Sequence, residues 1–382
     1  MRVALNALHL VPGETGGGEV YARNLIAALA GSASVELTVF VPREARGVAS
    51  AWPADVAVEE LPVPGRNRAL RVAGEQTLLP RALRRRKIDL LHNLFSTAPA
   101  VPTVPQVTTI YDLIYKRYPE AHRGLLSAGM AALVSLAARR SRRLITLSEA
   151  TKRDLVDLLG VAPEVIDVTS AGPGVATGTE PVPEDELRRS LALGDRAIVL
   201  TVSAKRPHKN LERLFDAFAQ IRADPAPVLV VPGYATPFER ELQDAAERAA
   251  PGRIRFVGWV DDATLEGLYH AATCFVFPSL AEGFGLPVLE ALARGVPTAS
   301  SDATSLPEVA GDAVVYFDPT DVASIADVLE RLLADEALRR RLAGGGPVQA
   351  AKFSWEATAQ RTLESYGRAV GEGREAVRRT GS

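Results

Sequence analysis

Short apolar runs alternate with longer amphipathic stretches along the whole sequence, and this alternation restricts the fold more than any other feature. Residues 197–202, for example, read Ala-Ile-Val-Leu-Thr-Val without a charged side chain. A strand has this composition when helices cover both faces of its sheet, because neither face then meets water. The alternation occurs in both halves of the chain, and it therefore predicts two doubly wound α/β domains.

The predicted elements follow from these two periodicities. In the first half, strands are predicted at 2–9, 35–41, 88–92, 106–111, 143–147 and 165–169, and helices at 18–30, 68–86, 122–140 and 149–159. In the second half, strands are predicted at 197–203, 227–232, 254–257, 273–277, 297–300 and 313–316. Helices are predicted there at 210–223, 237–249, 262–272, 287–294 and 321–334, and a further helix at 354–370.

The domain boundaries are predicted from length and from one Gly/Pro/Thr-rich segment. A chain of 382 residues is longer than a single hydrophobic core usually supports. Residues 172–183 read Gly-Pro-Gly-Val-Ala-Thr-Gly-Thr-Glu-Pro-Val-Pro, which is typical of a linker. We therefore expect an N-terminal domain at 1–172, a linker at 173–184, a C-terminal domain at 185–353 and a terminal segment at 354–382.

Composition excludes several classes of function. The formal net charge is −2, so the overall charge gives no argument for a nucleic-acid partner. The single cysteine, Cys274, lies in an apolar run, and we expect a buried thiol rather than a nucleophile or a metal ligand. One cysteine forms no internal disulfide, which fits a reducing cytoplasm.

Membrane insertion is not expected. The longest apolar stretch, 125–138, is too short to cross a bilayer and is typical of a buried helix. Residues 2–11 are followed by Pro12-Gly13 without the cleavage pattern of a signal peptide, so they are interpreted as a first strand. The arginine-rich segment 66–87 is interpreted as a solvated helix face; peripheral contact with the inner membrane face is the less favoured alternative.

The segment 278–290 contains the most informative motif. It reads Pro-Ser-Leu-Ala-Glu-Gly-Phe-Gly-Leu-Pro-Val-Leu-Glu, with Pro287 where a first helical turn would begin. No Ser, Thr, Asp or Asn precedes Pro287 to cap that helix, so its first N–H groups lack a local partner. An anion such as a diphosphate would satisfy them, and Gly283 and Gly285 would let the backbone approach it closely.

Two carboxylates, Glu282 and Glu290, bracket this predicted anion site. A carboxylate repels an anion, but it is a good acceptor for the vicinal hydroxyls of a ribose or a hexose. Taken singly, Glu282 is better interpreted as a solvated loop residue and Glu290 as a helix-surface residue. As a pair around two glycines and a proline, they favour a sugar-nucleotide site.

A basic loop follows the strand predicted at 197–203. It reads Ser-Ala-Lys-Arg-Pro-His-Lys-Asn at 203–210 and contains the cations Lys205, Arg206 and Lys209. These cations could bind phosphate oxygens, or they could belong to a solvated turn. The position of the loop between a buried strand and a helix makes the two interpretations about equal.

At this point the sequence resembles a known family. Glu282, seven intervening residues and Glu290 resemble the E-x7-E motif of retaining GT-B glycosyltransferases of family 4, and the similarity continues through 295–297 and 305–313. The resemblance implies the GT-B fold, in which two Rossmann-like domains face a central cleft, and a terminal helix that returns to the first domain. It is specific mainly over 203–316 and looser in the first half.

The resemblance also implies roles for individual residues. Glu290 would bind the donor ribose, and Glu282 would bind hydroxyls of the transferred sugar. Lys209 would bind the donor diphosphate. The backbone of Gly283, Phe284, Gly285 and Leu286 would contact the sugar and the diphosphate.

In the basic loop, one departure from the family pattern leaves a question open. Relatives commonly have an arginine where this chain has Ala204, and either Lys205 or Arg206 could replace it. Loops around Gly233 and Val257 would surround the nucleotide base, largely through backbone atoms.

In the first half, the glycine loop containing Gly17 and Gly18 is similar to a family loop that closes over the donor phosphate. Tyr111-Asp112 stands where relatives have His-Asp near the reacting sugar. Tyrosine is a poor base near neutral pH, so either the histidine is dispensable, or Asp112 or another group takes its role.

The predicted function is transfer of a hexosyl unit, with mannosyl as one candidate, from a GDP- or UDP-sugar to an acceptor hydroxyl with retention. No metal-ligand spacing and no Asp-x-Asp motif occurs, so no metal or other cofactor is implied. The alternatives are a nucleotide-sugar epimerase or a phosphorylase of the same fold, and a non-catalytic sugar-nucleotide binding protein. The acceptor and the oligomeric state stay open.

Overall fold

The computed structural model describes residues 1–49, 52–118, 125–174 and 179–380. The chain forms two compact units. Unit 1 comprises Met1–Gly172 and Ser354–Ser382, and unit 2 comprises Pro173–Phe353. The predicted linker lies partly on 175–178 and the predicted helix at 122–140 begins on 122–124, and both of these pieces lie outside the described residues.

Unit 1 is built on a seven-stranded sheet in which every pair of neighbouring strands is parallel. The order is β3-β2-β1-β4-β5-β6-β7. The strands are β1 (Arg2–Asn6), β2 (Glu36–Val41), β3 (Ala57–Glu60), β4 (Leu90–Asn93), β5 (Gln106–Thr109), β6 (Arg143–Thr146) and β7 (Ile166–Val168). Since β1 lies between β2 and β4, the order of the strands reverses at β1. Such sheets bind ligands at the carboxyl ends of the strands next to this reversal.

Helices alternate with these strands. They are α1 (Gly17–Ala30), α2 (Arg46–Ala49), α3 (Arg68–Arg86), α4 (Ile114–Arg117), α5 (Leu125–Arg140), α6 (Glu149–Leu159) and the terminal helix α15 (Trp355–Thr380). Local chemistry fixes several of their ends. The Asn67 side chain accepts a hydrogen bond from Leu70 N at the start of α3, and Ser148 does the same for Thr151 N at the start of α6.

Unit 2 is built on a six-stranded parallel sheet in the order β10-β9-β8-β11-β12-β13. The strands are β8 (Ile198–Leu200), β9 (Val228–Pro232), β10 (Ile254–Gly258), β11 (Cys274–Phe277), β12 (Thr298–Ser301) and β13 (Val315–Phe317). Because all pairs are parallel, the loops that follow β8, β9, β10, β11 and β12 emerge along one edge of the sheet.

The helices of unit 2 are α7 (Glu184–Ser190), α8 (Leu211–Gln220), α9 (Glu239–Ala249), α10 (Asp262–Ala271), α11 (Leu286–Ala293), α12 (Leu306–Ala310), α13 (Val322–Ala334) and α14 (Glu336–Ala350). On α8, Leu211, Leu214, Phe215 and Phe218 recur at helical spacing and are buried. They join a core cluster that contains strand residues such as Val199 and Val276.

The α/β fold predicted from the alternation is confirmed, but some elements differ. The edge strand β3 was not predicted, because Ala-Val-Glu-Glu offers little apolar pattern. Helix α14 was also missed, since it contains three glycines and Pro347. The strand predicted at 106–111 ends at Thr109, so Tyr111 and Asp112 lie in the loop that follows β5.

Cys274 is buried, as predicted, and burial raises the pKa of its thiol to about 12. Of the helices in the described ranges, none has an apolar stretch of the length needed to cross a bilayer.

Candidate active site

Two loops at the carboxyl edge of the unit 2 sheet are joined directly to each other. The basic loop, residues 203–210, follows β8, and the glycine loop, residues 279–285, follows β11. Leu280 N donates a hydrogen bond to His208 O at 2.8 Å. The buried Asn210 adopts a left-handed conformation with φ 59°, and its Nδ2 donates to Pro278 O at 3.0 Å and Pro319 O at 2.7 Å. Asn210 therefore fixes the end of the basic loop against the start of the glycine loop.

Lys209 and Glu282 form an ion pair between these loops. Lys209 Nζ lies 2.5 Å from Glu282 Oε1, and the two side chains are 13% and 10% exposed. Lys209 Nζ also lies 5.2 Å from the centroid of the Phe277 ring at the end of β11. Lys209 is thus directed at the glycine loop, and Glu282 is not a solvated loop residue.

The glycine loop ends in a backbone conformation that few residues other than glycine adopt. Gly285 has φ 110°, and a Cβ atom there would lie 2.5 Å from Leu306 Cδ2. Gly285 precedes α11, and no side chain caps this helix, as the sequence predicted. Gly283 and Phe284 are buried, and Leu286 begins the helix.

Thr304 and Ser305, which follow β12, hold the glycine loop in place. Thr304 Oγ1 accepts from Glu282 N at 2.9 Å and donates to Glu282 O at 3.1 Å. Ser305 Oγ lies 3.0 Å from Glu282 O and 2.9 Å from Phe284 O. The sequence motifs assign no role to Thr304 or Ser305. The similarity over 305–313 was the available signal, but it does not say what Ser305 contacts.

Glu290 lies in the middle of α11, in a cluster of polar side chains. Tyr269 Oη donates a hydrogen bond to Glu290 Oε2 at 3.2 Å. Burial raises the pKa of Glu290 to about 7, although the Arg294 guanidinium lowers it. Arg294 is itself paired with Glu266 and lies 4.4 Å from the centroid of the Tyr269 ring. Glu290 is therefore a partly buried carboxyl that changes charge near neutral pH.

Lys205 and Arg206 are neighbours in very different environments. The Lys205 side chain is fully buried; its Nζ donates to Gly233 O at 2.7 Å and lies 3.0 Å from Glu239 Oε1. Arg206 is exposed. Gly233, with φ 138°, approaches so closely that a Cβ there would lie 2.7 Å from Ser203 O. Lys205 therefore connects the loops that follow β8 and β9, and Arg206 is the cation that solvent reaches.

The two residues predicted near the nucleotide base lie on neighbouring strands of the same edge. Gly233 follows β9, and Val257 is partly buried in β10. The indole of Trp259, directly after β10, is 62% exposed.

Tyr111 and Asp112 belong to unit 1. The Tyr111 ring makes edge contacts with Tyr21 and Phe95, at centroid distances of 5.4 and 6.2 Å. Its buried hydroxyl has no hydrogen-bond partner among the described residues, and burial raises its pKa well above 10. Asp112 Oδ1 accepts from Ile114 N at 3.0 Å. A phenol whose pKa is raised in this way is a poor base near neutral pH.

The predicted glycine pair of unit 1 lies at the start of α1. Gly17 is its first residue, and Gly16 precedes it without a side-chain cap. A Cβ on Gly18 would lie 3.1 Å from Phe95 Cε1, so the Phe95 ring lies between this loop and Tyr111.

The predicted site residues therefore form two groups. Lys205, Arg206, Lys209, Gly233, Val257, Glu282–Leu286 and Glu290 are in unit 2, and Gly17, Gly18, Tyr111 and Asp112 are in unit 1. Within the parts of the chain that the structure describes, no group of three or more His, Cys, Asp or Glu side chains is placed to hold a metal ion.

Comparison with known proteins gives this arrangement a family. Residues 183–347 match the family "Glycosyl transferases group 1", and residues 15–172 match "Glycosyltransferase Family 4". The O-antigen chain mannosyltransferase B of Escherichia coli is 31% identical over 268 residues, which cover 68% of this chain and 69% of that protein. The serotype-specific mannosyltransferase WbdA of Escherichia coli is 33% identical over 248 residues, 62% of this chain but only 30% of WbdA.

Solved structures show the same fold. The sucrose-phosphate synthase of Thermosynechococcus elongatus superposes with a TM-score of 0.79 at 22% identity, over 97% of this chain and 100% of that one. Two parallel sheets with alternating helices and this likeness define a GT-B fold. The chain belongs to the group 1 glycosyltransferases, and it is a glycosyltransferase that uses a nucleotide sugar.

Proposed function

We propose that this enzyme transfers a hexosyl unit, mannosyl in the first instance, from a nucleotide-diphosphate sugar to an acceptor hydroxyl with retention of anomeric configuration. The observation that carries the proposal is the ion pair of Lys209 with Glu282 beside the uncapped start of α11. One cation, one carboxylate and a set of backbone N–H groups lie together there, which matches the diphosphate and the sugar of such a donor.

In this proposal each group of unit 2 binds one part of the donor. Lys209, assisted by the exposed Arg206, binds the diphosphate together with the backbone of Gly283–Leu286. Glu282 accepts hydrogen bonds from the transferred sugar. The loops at Gly233 and Val257 surround the base. Lys205 is assigned a supporting role, because Gly233 O and Glu239 already engage its ammonium group.

Glu290 is assigned to the ribose hydroxyls. A carboxylate accepts from two vicinal hydroxyls at once, which a neutral acid does less well. The neighbouring Tyr269 hydroxyl, which donates to Glu290 Oε2, orients the carboxyl group.

Catalysis would depend on stabilising the leaving group. As the bond between the anomeric carbon and the phosphate oxygen breaks, negative charge builds on the diphosphate. Lys209 and the start of α11 are preorganised to stabilise that charge. We infer that the acceptor oxygen forms its bond to the anomeric carbon on the face the phosphate leaves, and that the acceptor proton passes to a diphosphate oxygen. The family resemblance supports this front-face course.

Mannose is proposed because two of the relatives compared above carry mannosyltransferase names. The base is left between guanine and uracil. A thermal-shift screen with GDP-mannose, UDP-glucose and related donors separates the candidates, because a ligand that binds only the folded state raises stability by about 2.7 kcal/mol at a hundredfold excess over Kd.

The matched test of the site is Lys209→Met against Lys352→Met. Lys352 is an exposed lysine whose Nζ donates to Gln349 Oε1 at 2.7 Å, so its replacement controls for the loss of one positive charge. We expect Lys209→Met to weaken binding of the best donor at least tenfold, and Lys352→Met to leave it unchanged. Equal affinity in both variants would reject the assignment, and an inverted anomeric centre in the product, read by NMR, would reject retention.

A further inference from the structure

A histidine at the carboxyl end of β1 has its two ring nitrogens in different situations. His9 lies in the turn that follows β1, and its ring stacks on Phe95 with centroids 5.8 Å apart and an interplanar angle of 12°. Its Nε2 lies 3.0 Å from Thr97 Oγ1. Its Nδ1 has no hydrogen-bond partner among the residues that the structure describes.

The direction of the Thr97 hydroxyl decides which nitrogen of His9 carries the proton. Thr97 Oγ1 lies 2.9 Å from Glu75 Oε1 and donates its single proton to it. Asn6 Nδ2 donates to the same oxygen at 2.8 Å, so Glu75 Oε1 acts as an acceptor whether or not the other oxygen is protonated. Because Thr97 has no second proton, His9 Nε2 must be the donor to Thr97. His9 Nδ1 therefore carries a lone pair.

Other buried residues hold this relay in one orientation. Glu75 is fully buried, and Asn6 Nδ2 also contacts Asn93 Oδ1 at 3.0 Å. Asn93 Nδ2 in turn donates to Thr108 Oγ1 at 3.1 Å, so each amide has an assigned direction. The network is thus connected from the sheet interior to His9, and its hydrogen bonds allow one tautomer of the ring.

His92 shows what a purely structural histidine looks like in the same unit. It is fully buried, with Nδ1 2.7 Å from Tyr366 Oη and Nε2 2.7 Å from Thr109 Oγ1. Both nitrogens of His92 are occupied by the protein. His9 differs because it is only partly buried and keeps an accepting nitrogen.

The surroundings keep His9 neutral. Burial lowers its pKa well below 6.5, and the nearby cations Arg71 and Arg68 lower it further. A neutral imidazole with an open lone pair is a hydrogen-bond acceptor, and hydroxyls are its natural partners. Phe95, on which it stacks, also contacts the Gly18 loop and Tyr111.

We propose that His9 Nδ1 accepts a hydrogen bond from a hydroxyl of the saccharide acceptor, and that Thr97 and Glu75 are positioning residues that fix the tautomer required for this. The inference rests on the proposed function, because it assigns recognition of the acceptor to a residue of unit 1. It gives unit 1 a hydroxyl-binding group at the point where its strand order reverses.

Two substitutions of His9 distinguish the roles of its two ring nitrogens. The amide nitrogen of glutamine reaches the place of Nε2, so His9→Gln keeps a donor to Thr97 but has no acceptor in the place of Nδ1. The side-chain oxygen of asparagine reaches the place of Nδ1, so His9→Asn keeps the acceptor. With methyl α-D-mannoside as acceptor probe, we expect His9→Gln to raise the acceptor KM at least tenfold and His9→Asn less than threefold, both with unchanged donor Kd. A wild-type KM in His9→Gln, or equal losses in both variants, would overturn the proposal.

The relay is tested by Thr97 and by a control histidine. Thr97→Val removes the hydroxyl and should raise the acceptor KM, whereas Thr97→Ser restores it. His92→Gln should lower thermal stability and leave the acceptor KM unchanged. If Thr97→Val changed stability alone, Thr97 would be structural and the relay would be rejected.

A measurement on the protein without donor or acceptor keeps the inference separate from the proposed function. Imidazole ¹⁵N spectra, with the His9 signals assigned by their loss in His9→Gln, should show the proton on Nε2. A proton on Nδ1 would overturn the inference even if donor binding were normal. Conversely, a wild-type protein that binds no nucleotide sugar would reject the proposed function and leave the His9 tautomer as found.

Discussion

Glu290→Gln should make the protein more stable than wild type at alkaline pH and should weaken donor binding. In the native state burial raises the pKa of Glu290 from 4.5 to about 7, against the lowering effect of Arg294. Ionisation of this carboxyl therefore opposes folding. Glutamine has nearly the same shape, can still accept from Tyr269 Oη, and does not ionise.

The size of the effect follows from proton linkage. A raised native pKa means that Glu290 ionises at lower pH in the unfolded state than in the native state. The contribution of Glu290 to the free energy of unfolding is therefore fully present below pH 4.5 and is lost as pH rises through about 7. The two pKa values correspond to about 3 kcal/mol when the loss is complete. Relative to wild type, Glu290→Gln should gain roughly 2 kcal/mol or more between pH 5 and pH 8, which is on the order of 5 °C in Tm for a unit of this size.

The assay is thermal and urea unfolding without nucleotide at pH 5, 6, 7 and 8. Glu241→Gln, at an exposed position of α9, is the control for loss of one carboxylate. Its difference from wild type should change little over this range. A Glu290→Gln difference that is equally independent of pH would refute the raised pKa. Donor Kd, measured at pH 8, should rise about tenfold in the same variant, because a neutral amide replaces a charged acceptor.

Two further substitutions test the geometry of single residues. Gly285→Ala should lower unfolding free energy by about 2 kcal/mol and weaken donor binding, since it combines φ 110° with a Cβ 2.5 Å from Leu306 Cδ2; urea unfolding and donor titration check both, and a fully stable variant would contradict the strain. Tyr111→Phe should leave stability unchanged or raise it by up to about 1 kcal/mol and leave the transfer rate within about twofold, because the lost hydroxyl has no partner in the described structure. A transfer rate tenfold lower in steady-state assays would instead show that this hydroxyl acts on the substrate.

The fold was predictable because its strands are short, apolar and regularly spaced. Residues 197–202 have no polar face, so a buried parallel strand was the natural interpretation, and β8 lies within this range. The elements that were missed lack that signal. Strand β3 pairs only with β2, at the sheet edge, and carries two glutamates, whereas α14 contains residues that disfavour helices in isolation. Tertiary packing decides both, and it has no local signature.

The sequence picks out the residues of the candidate site but not the contacts among them. The sequence singles out Lys205 and Arg206 as adjacent cations and offers no reason to prefer either. The structure separates them, because Lys205 is buried against Gly233 O and Arg206 is exposed. His9 shows the same limit more strongly. Its environment depends on Thr97 and Glu75, which are distant in sequence and meet it only through the order of the strands.

In the proposed function, the ion pair of Lys209 with Glu282 joins the diphosphate part of the donor site to the sugar part. The family resemblance implies separate tasks for them, one on the diphosphate and the other on the sugar, yet Lys209 Nζ and Glu282 Oε1 pair with each other at 2.5 Å. A largely buried lysine or carboxylate left alone would be costly, so the pair stabilises both loops in this arrangement. In the proposed function, the donor diphosphate would replace Glu282 as the partner of Lys209. The carboxylate then needs new donors, and sugar hydroxyls supply them. A nucleoside diphosphate without a sugar satisfies only the lysine, so this exchange favours the complete donor over the spent one.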